Sequence, residues 1–223
     1  MITHISESID HGKIGLSYKQ VADIKNNEIF AYYANISLDN YEIDESYMKQ
    51  VIKRRNLEEL IDKYMISTAS KELKMLYDEL KTTVPIMIEI SNASLEISFA
   101  SFIEQQERFY HSTKKNIIFI VEDASNSVVK GIRSLGYKVA SSNLMNLYHS
   151  NIDYFILNLK ETGYSILKEI KDLCQNKQCE LIVGGVDTKE ELERVIELDV
   201  LYLFGNYYRK SIRIKKLIDK HSK

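Results

Sequence analysis

A chain of 223 residues with 44% apolar and 28% charged residues can bury one substantial core, and that composition excludes disorder and collagen-like repeats. Its 30 basic and 32 acidic residues leave a net charge of −2, so no broad cationic surface for nucleic acid is expected. No charged-then-apolar leader and no long apolar run occur, so neither a signal segment nor a membrane contact is expected, and a cytoplasmic location is.

Residues 1–13 show no period and read as a lead-in to a single domain over 14–223. Ile14 to Lys25 and Glu28 to Ser37 are β-prone runs separated by Asn26 and Asn27, which predicts a hairpin. Asp44 to Arg54 predicts a short helix. Leu57, Leu60, Ile61, Tyr64, Met65, Leu73, Leu76, Tyr77 and Leu80 then fall at helical spacing over a long second one, a stripe fit for core packing.

From Val84 onward short apolar strands alternate with helices. The strands are Ile86 to Ser91, Ile117 to Val121, Tyr137 to Ser141, Tyr154 to Leu159, Leu181 to Val183 and Val200 to Leu203. The helices are Leu95 to Tyr110, Ser125 to Leu135 stopped by Gly136, Leu144 to His149, Tyr164 to Asn176, Thr188 to Leu198 and Ser211 to His221. Two hairpin strands and six alternating ones make eight, the number of a closed α/β barrel, with the antiparallel hairpin as its irregular part. Pro85 sits at a strand start, where a missing N–H is tolerated.

The stretch Glu180 to Glu191, E-L-I-V-G-G-V-D-T-K-E-E, holds a strand, a turn at two glycines and a helix capped by Thr188 with Glu191 three positions on. Such a turn lies at the end of a barrel where sites are built. Other chemistry is sparse. Cys174 and Cys179, in C-x4-C, lack nearby ligand partners and read as a reduced pair, not a zinc site. His4, His11, His111, His149 and His221 are scattered, and no Gly-x-Ser-x-Gly elbow, P-loop or G-x-G-x-x-G occurs, so no metal or cofactor is expected. Arg209, Lys210, Arg213, Lys215, Lys216 and Lys220 suit the cation-favouring end of a last helix. Among fifteen tyrosines, Tyr32 with Tyr33, Tyr207 with Tyr208, and Tyr202 lie at strand ends. Alternation there buries one of each adjacent pair and leaves the other free for recognition.

Four strings occur in order: Y-K-Q-V-A-D-I-K-N-N-E-I-F-A-Y-Y-A-N, L-E-E-L-I-D-K-Y-M-I-S-T-A, I-R-S-L-G-Y-K-V-A and V-G-G-V-D-T-K-E-E-L. Together they resemble the EAL domains, which hydrolyse the second messenger cyclic di-GMP. The resemblance covers nearly all of residues 14–209 and implies an α/β fold, an EAL-type modified TIM (β/α)8 barrel with an antiparallel first strand. It also implies an acidic cage for two divalent cations bridged by water.

Carried onto this chain, the glutamate of E-A-L falls on Tyr33 and the metal-binding asparagine on Glu89. The ligand glutamate of E-I-T-E falls on Phe119, while its second glutamate is retained as Glu122. The aspartates of D-D-F-G fall on Ser142 and Asn143, and the loop after them is shortened. The lysine of K-I-D falls on Ile156 with Asn158 in place of the aspartate, the glutamate of A-E-G-V-E-T on Gly184, and the glutamine before the last Gly-Tyr on Phe204. Most of these side chains cannot serve a hard dication.

The expectation is therefore a degenerate domain, not an enzyme, with no catalytic residues, no metal and Glu122 partnered by a backbone group or a cation. G-G-V-D-T and the compressed D-D-F-G region look most like the YdiV-like group, which binds the flagellar transcription regulator FlhDC and blocks its use of DNA. A protein partner is thus expected, with neither direct nucleic-acid contact nor cyclic di-GMP. The alternative is a receptor that binds cyclic di-GMP without cleaving it, although Ser37 stands where that family keeps an arginine.

Overall fold

The structure, a computed structural model, describes residues 14–38, 45–81, 84–95, 99–110, 116–122, 124–208 and 211–221. The expected lead-in over 1–13, together with Asp44, His111, Arg209 and Lys210, lies outside them. Strands β1 (Ile14–Asp23) and β2 (Glu28–Leu38) pair antiparallel from Ile14↔Leu38 to Asp23↔Glu28, with a bulge between Val21 and Ala22. Their turn works because Asn27 accepts a left-handed φ of 54°. The Asn26 backbone N–H and side-chain amide donate to the Asp23 carboxylate at 3.0 and 2.8 Å.

Strands β3 (Ile86–Ile90), β4 (Ile117–Val121), β5 (Lys138–Ser141), β6 (Tyr154–Asn158), β7 (Glu180–Gly184) and β8 (Tyr202–Phe204) follow β2 in parallel. The barrel closes where β8 meets β1 antiparallel, through Ala22↔Leu203 and Asp23↔Tyr202. The expected eight-stranded barrel with an antiparallel first strand is what forms. Pro85, just ahead of β3, gives its carbonyl to the Tyr32 N–H at 2.8 Å.

The connecting helices are α1 (Glu45–Arg54), α2 (Glu58–Leu80), α3 (Phe99–Tyr110), α4 (Asn126–Ser134), α5 (Leu144–His149), α6 (Leu159–Thr162), α7 (Leu167–Lys177), α8 (Lys189–Glu197) and α9 (Ile214–His221). Three differ from the sequence expectation for local reasons. The helix expected from Leu95 is described over Phe99–Tyr110, and Leu95 itself belongs to the 3-10 turn Asn92–Leu95. The one expected from Tyr164 starts at Leu167, because Asn158 caps the extra turn α6 by accepting the Lys160 N–H. The last starts at Ile214, because Ile212 exchanges backbone hydrogen bonds with Tyr18 at 2.8 and 3.0 Å. The capping box of α8 forms as expected: Thr188 accepts from the Glu191 N–H, and the Glu191 carboxylate accepts from the Thr188 N–H.

Alternation along the strands divides the core in two. Val21, Ala31, Met87, Ile118, Ile120, Ala140, Ile156 and Ile182 fill the barrel, and Phe30, Tyr154 and Tyr202 close its floor with ring centroids 4.2 and 5.4 Å apart. The opposite faces, with Tyr32, Ile88, Phe119, Val139, Leu157 and Val183, pack against the helices. Tyr32 is buried there while Tyr33 points into the barrel and is itself half-buried, so this pair alternates faces but, contrary to expectation, leaves neither tyrosine free. At the other expected pair, Tyr207 is exposed and Tyr208 partly buried. In the basic cluster, Arg213 donates to the Ser37 hydroxyl at 3.1 Å and so ties the segment before α9 to β2.

Of the apolar stripe of α2, Ile61, Met65, Leu73 and Leu76 are buried while Leu60 and Tyr77 are exposed, and one acid is buried with the inner part. Asp62, 7% exposed, accepts from the Ser91 N–H at 2.7 Å and from the Ser91 and Ser94 hydroxyls at 2.6 Å each. Burial outweighs those bonds and holds its carboxyl above the ordinary 3.8. The native state then binds a proton more tightly than the unfolded chain. The contribution to stability is therefore fully present below 3.8 and lost as pH rises through the raised native value. Urea unfolding from about pH 4 to pH 7 should show the wild type losing stability relative to Asp62→Asn. Parallel curves would contradict this account.

Candidate functional site

At the carboxyl ends of the strands, inward alternation brings Tyr33, Glu89, Glu122, Gly184 and Phe204 around one mouth. Gly184 and Phe204 are register partners, and the Phe204 ring lies over the bare glycine backbone. A Cβ at 184 would stand 2.5 Å from the ring's Cζ. Tyr33 stacks on the same ring, with centroids 5.4 Å apart and planes 28° from parallel. Two aromatic rings thus occupy the centre of the mouth.

The Tyr33 hydroxyl donates to Glu89 Oε2 at 3.0 Å. Lys49, reaching down from α1, places its ammonium 2.7 Å from the Glu89 carboxylate and 3.8 Å from that of Glu122. Glu122 thus has a cation beside it, and its backbone carbonyl accepts from the Asn146 amide at 3.0 Å.

The remaining sequence-derived positions lie around this centre or away from it. Ser142 is exposed just beyond β5. Asn143 caps α5, its side chain accepting the Met145 N–H at 2.8 Å. Ile156 lies 7% exposed inside the barrel. Asn158 holds α6 with Oδ1 on the Lys160 N–H at 3.1 Å and its amide on Glu161 at 3.1 Å. Phe119 is not a mouth residue. It faces the helices, 5.5 Å from the Phe99 ring and 5.0 Å from that of Tyr137, and the inward residues of β4 are Ile118 and Ile120. Adjacent residues of a strand point to opposite faces, so the position the resemblance assigns to a ligand lies on the wrong side of β4. The residues on the inward face are equally apolar.

Beside the mouth, Asp187 in the β7–α8 turn pairs with Lys160 and accepts the Asn206 N–H at 2.8 Å. Burial alone would raise its carboxyl, but the Lys160 ammonium and the Asn206 N–H hold it below the ordinary value. On the Glu89 and Glu122 side of the mouth a cavity of about 360 Å³ opens between β2, β3, α1 and α2. Ile36, Met48, Ile52 and Ile61 form its apolar walls, with Lys49, Lys53, Glu58 and Glu89 at its polar edge.

Sequence reasoning missed Lys49. Its signal is modest: it lies three residues before Ile52, on the side of α1 that packs inward.

The EAL-domain family profile matches residues 3–211. The chain is an EAL domain. No curated protein matches it. Among solved structures, this EAL domain is similar to the PaMucR phosphodiesterase in complex with cyclic di-GMP, at 12% identity and a TM-score of 0.86, over 97% of this chain and 98% of that one. An EAL-domain protein of Listeria monocytogenes EGD-e matches at 18% identity and a TM-score of 0.79, over 100% and 98%. The EAL domain of FimX from Pseudomonas aeruginosa bound to cyclic di-GMP matches at 16% and 0.80, over 94% and 95%. At such identities the likeness establishes the fold.

The divalent cations that the resemblance implies do not fit these residues. Among the described residues, the anionic side chains pointing into the mouth are Glu89 and Glu122, both face the Lys49 ammonium, and Tyr33, Ile120, Ile156 and Phe204 offer no anionic oxygen. Among the described residues, no three His, Cys, Asp or Glu side chains are grouped to hold a metal ion, and no helix is long and apolar enough to cross a membrane.

Proposed function

We propose that this EAL domain is catalytically inactive and works in the cytoplasm as a regulator that binds another protein. The observation that carries the reading is the mouth itself. Stacked Tyr33 and Phe204 fill the space over Gly184, and the Lys49 ammonium stands against the two inward acids. Phosphodiester hydrolysis on this fold needs hard cations on an anionic cage, and that cage is replaced by aromatic area and a lysine. Purified protein with magnesium or manganese is expected to leave cyclic di-GMP uncleaved; turnover proportional to protein concentration would end the proposal.

The partner we infer is a transcription regulator of motility, of the FlhDC kind, whose DNA binding is inhibited by the complex. The G-G-V-D-T string and the shortened D-D-F-G region support that choice by resemblance. Leu144, Met145 and Tyr148, exposed on α5 just beyond that region, supply apolar area suited to protein recognition. Co-purification from a flagellated host followed by mass spectrometry should recover such a regulator, and repeated recovery of none would remove this part.

One observation favours a second reading, a receptor for cyclic di-GMP. The cavity beside the mouth has the size of a small-ligand site and carries two lysines at its edge. Calorimetry with cyclic di-GMP decides between them. Silence is expected for the protein binder, and heat at micromolar ligand would establish the receptor.

A further inference from the structure

Helix α7 is capped at its C-terminus by Gln178, a residue in the left-handed conformation with φ 57°, and the N–H of Cys179 donates to the carbonyl of Cys174 at 3.0 Å. That six-to-one bond is the Schellman closure, which brings the side chain after the left-handed residue against the one five positions earlier. The C-x4-C spacing therefore has a structural meaning: it places two thiols in the paired positions of a helix stop. Any two apolar side chains would serve there, and a buried cysteine ordinarily behaves as one.

Two thiols in those paired positions can do more. Both cysteines are free, with Cys174 1% and Cys179 7% exposed. Each thiol acts on the other: Cys174 holds the Cys179 thiol below the usual range, and the Cys174 thiol is itself pushed up.

We propose that Cys174 and Cys179 are a modification site that closes reversibly to an intramolecular disulfide when a small peroxide reaches it. The Cys179 thiolate attacks one oxygen of hydrogen peroxide. An S–O bond forms, the O–O bond breaks, and hydroxide leaves to become water. The Cys174 sulfur then attacks the resulting sulfenic acid. The S–S bond forms, the S–O bond breaks, and hydroxide departs with the thiol proton as a second water. Two thiols are oxidised and one peroxide is reduced to two waters. Burial restricts the site to small oxidants, and the waiting second thiol intercepts the sulfenic acid before further oxidation. The product pins the end of α7 to the start of β7.

Brief hydrogen peroxide treatment, then denaturation and alkylation, should yield a protein lighter by two hydrogens. A peptide should link Cys174 to Cys179, neither should carry the alkylating label, and dithiothreitol should reverse the change. In Cys174→Ser a sulfenic-acid probe such as dimedone should label Cys179, whereas the wild type stays unlabelled. Both thiols alkylated after treatment, added oxygens in place of the lost hydrogens, or disulfide-linked dimers would overturn the proposal. The wild-type mass measurement decides the matter by itself if a variant fails to fold.

Discussion

Gly184→Glu yields a protein less stable than the wild type and still leaves cyclic di-GMP intact. The substitution restores one carboxylate at a position that the family resemblance assigns to a catalytic acid. Its Cβ, however, enters a space already held by Phe204, at 2.5 Å from Cζ and 2.9 Å from both Cε atoms. A ring can swing where backbone cannot, so the expected cost is that of overpacking, about 1–3 kcal/mol by urea unfolding. Adding Phe204→Ala to Gly184→Glu should relieve the clash, with a coupling of about 0.5–3 kcal/mol between the two sites. Neither protein should hydrolyse cyclic di-GMP with magnesium or manganese, because Lys49 still faces Glu89 and Glu122 and the neighbouring inward residues are apolar. Recovered turnover in either would show that the mouth can assemble a metal cage and that the inactive reading is wrong.

Gly205→Ala is expected to be the more damaging change, though it adds a single methyl. The new Cβ would lie 2.0 Å from the Val186 carbonyl oxygen, 2.4 Å from its carbon and 2.5 Å from its nitrogen. Those atoms cannot rotate away. The Val186 N–H donates to the Phe204 carbonyl at 3.2 Å and the Val186 carbonyl accepts from Tyr207 at 3.2 Å, so the crossing holds the loop after β7 against the end of β8. Relieving the clash means losing both bonds and parting two strands. We expect a cost of about 4 kcal/mol or more, a lowering of the melting midpoint by roughly 8–16 °C in a chain of this size. A folded variant within a degree or two of the wild type would refute this.

Elements whose cause is local were legible in the sequence. Asn26 and Asn27 make the hairpin turn, Ser125 and Thr188 cap their helices through their own hydroxyls, and apolar alternation marks the strands. The mouth was legible where strand pairing left no choice, as at Gly184 opposite Phe204. It was not legible at β4, where five successive apolar residues, Ile117 to Val121, carry no polar marker of which face is which. Phe119 consequently read as a mouth residue although it packs among the helices. Lys49 was hidden for another reason: it reaches Glu89 from a different element, and no local spacing encodes that contact.

The closure of the barrel bears on how the chain folds as it is made. β1 and β2 are neighbours in synthesis and zip together at once, but the other edge of β1 waits for Leu203 and Tyr202, and then for Ile212 beside Tyr18. Until β8 and the segment after it emerge from the ribosome, β1 is an open strand edge, the kind of surface that recruits other chains. Loop-closure entropy grows only slowly with length, so this late seam costs little at equilibrium; its penalty falls on the time the nascent protein spends exposed.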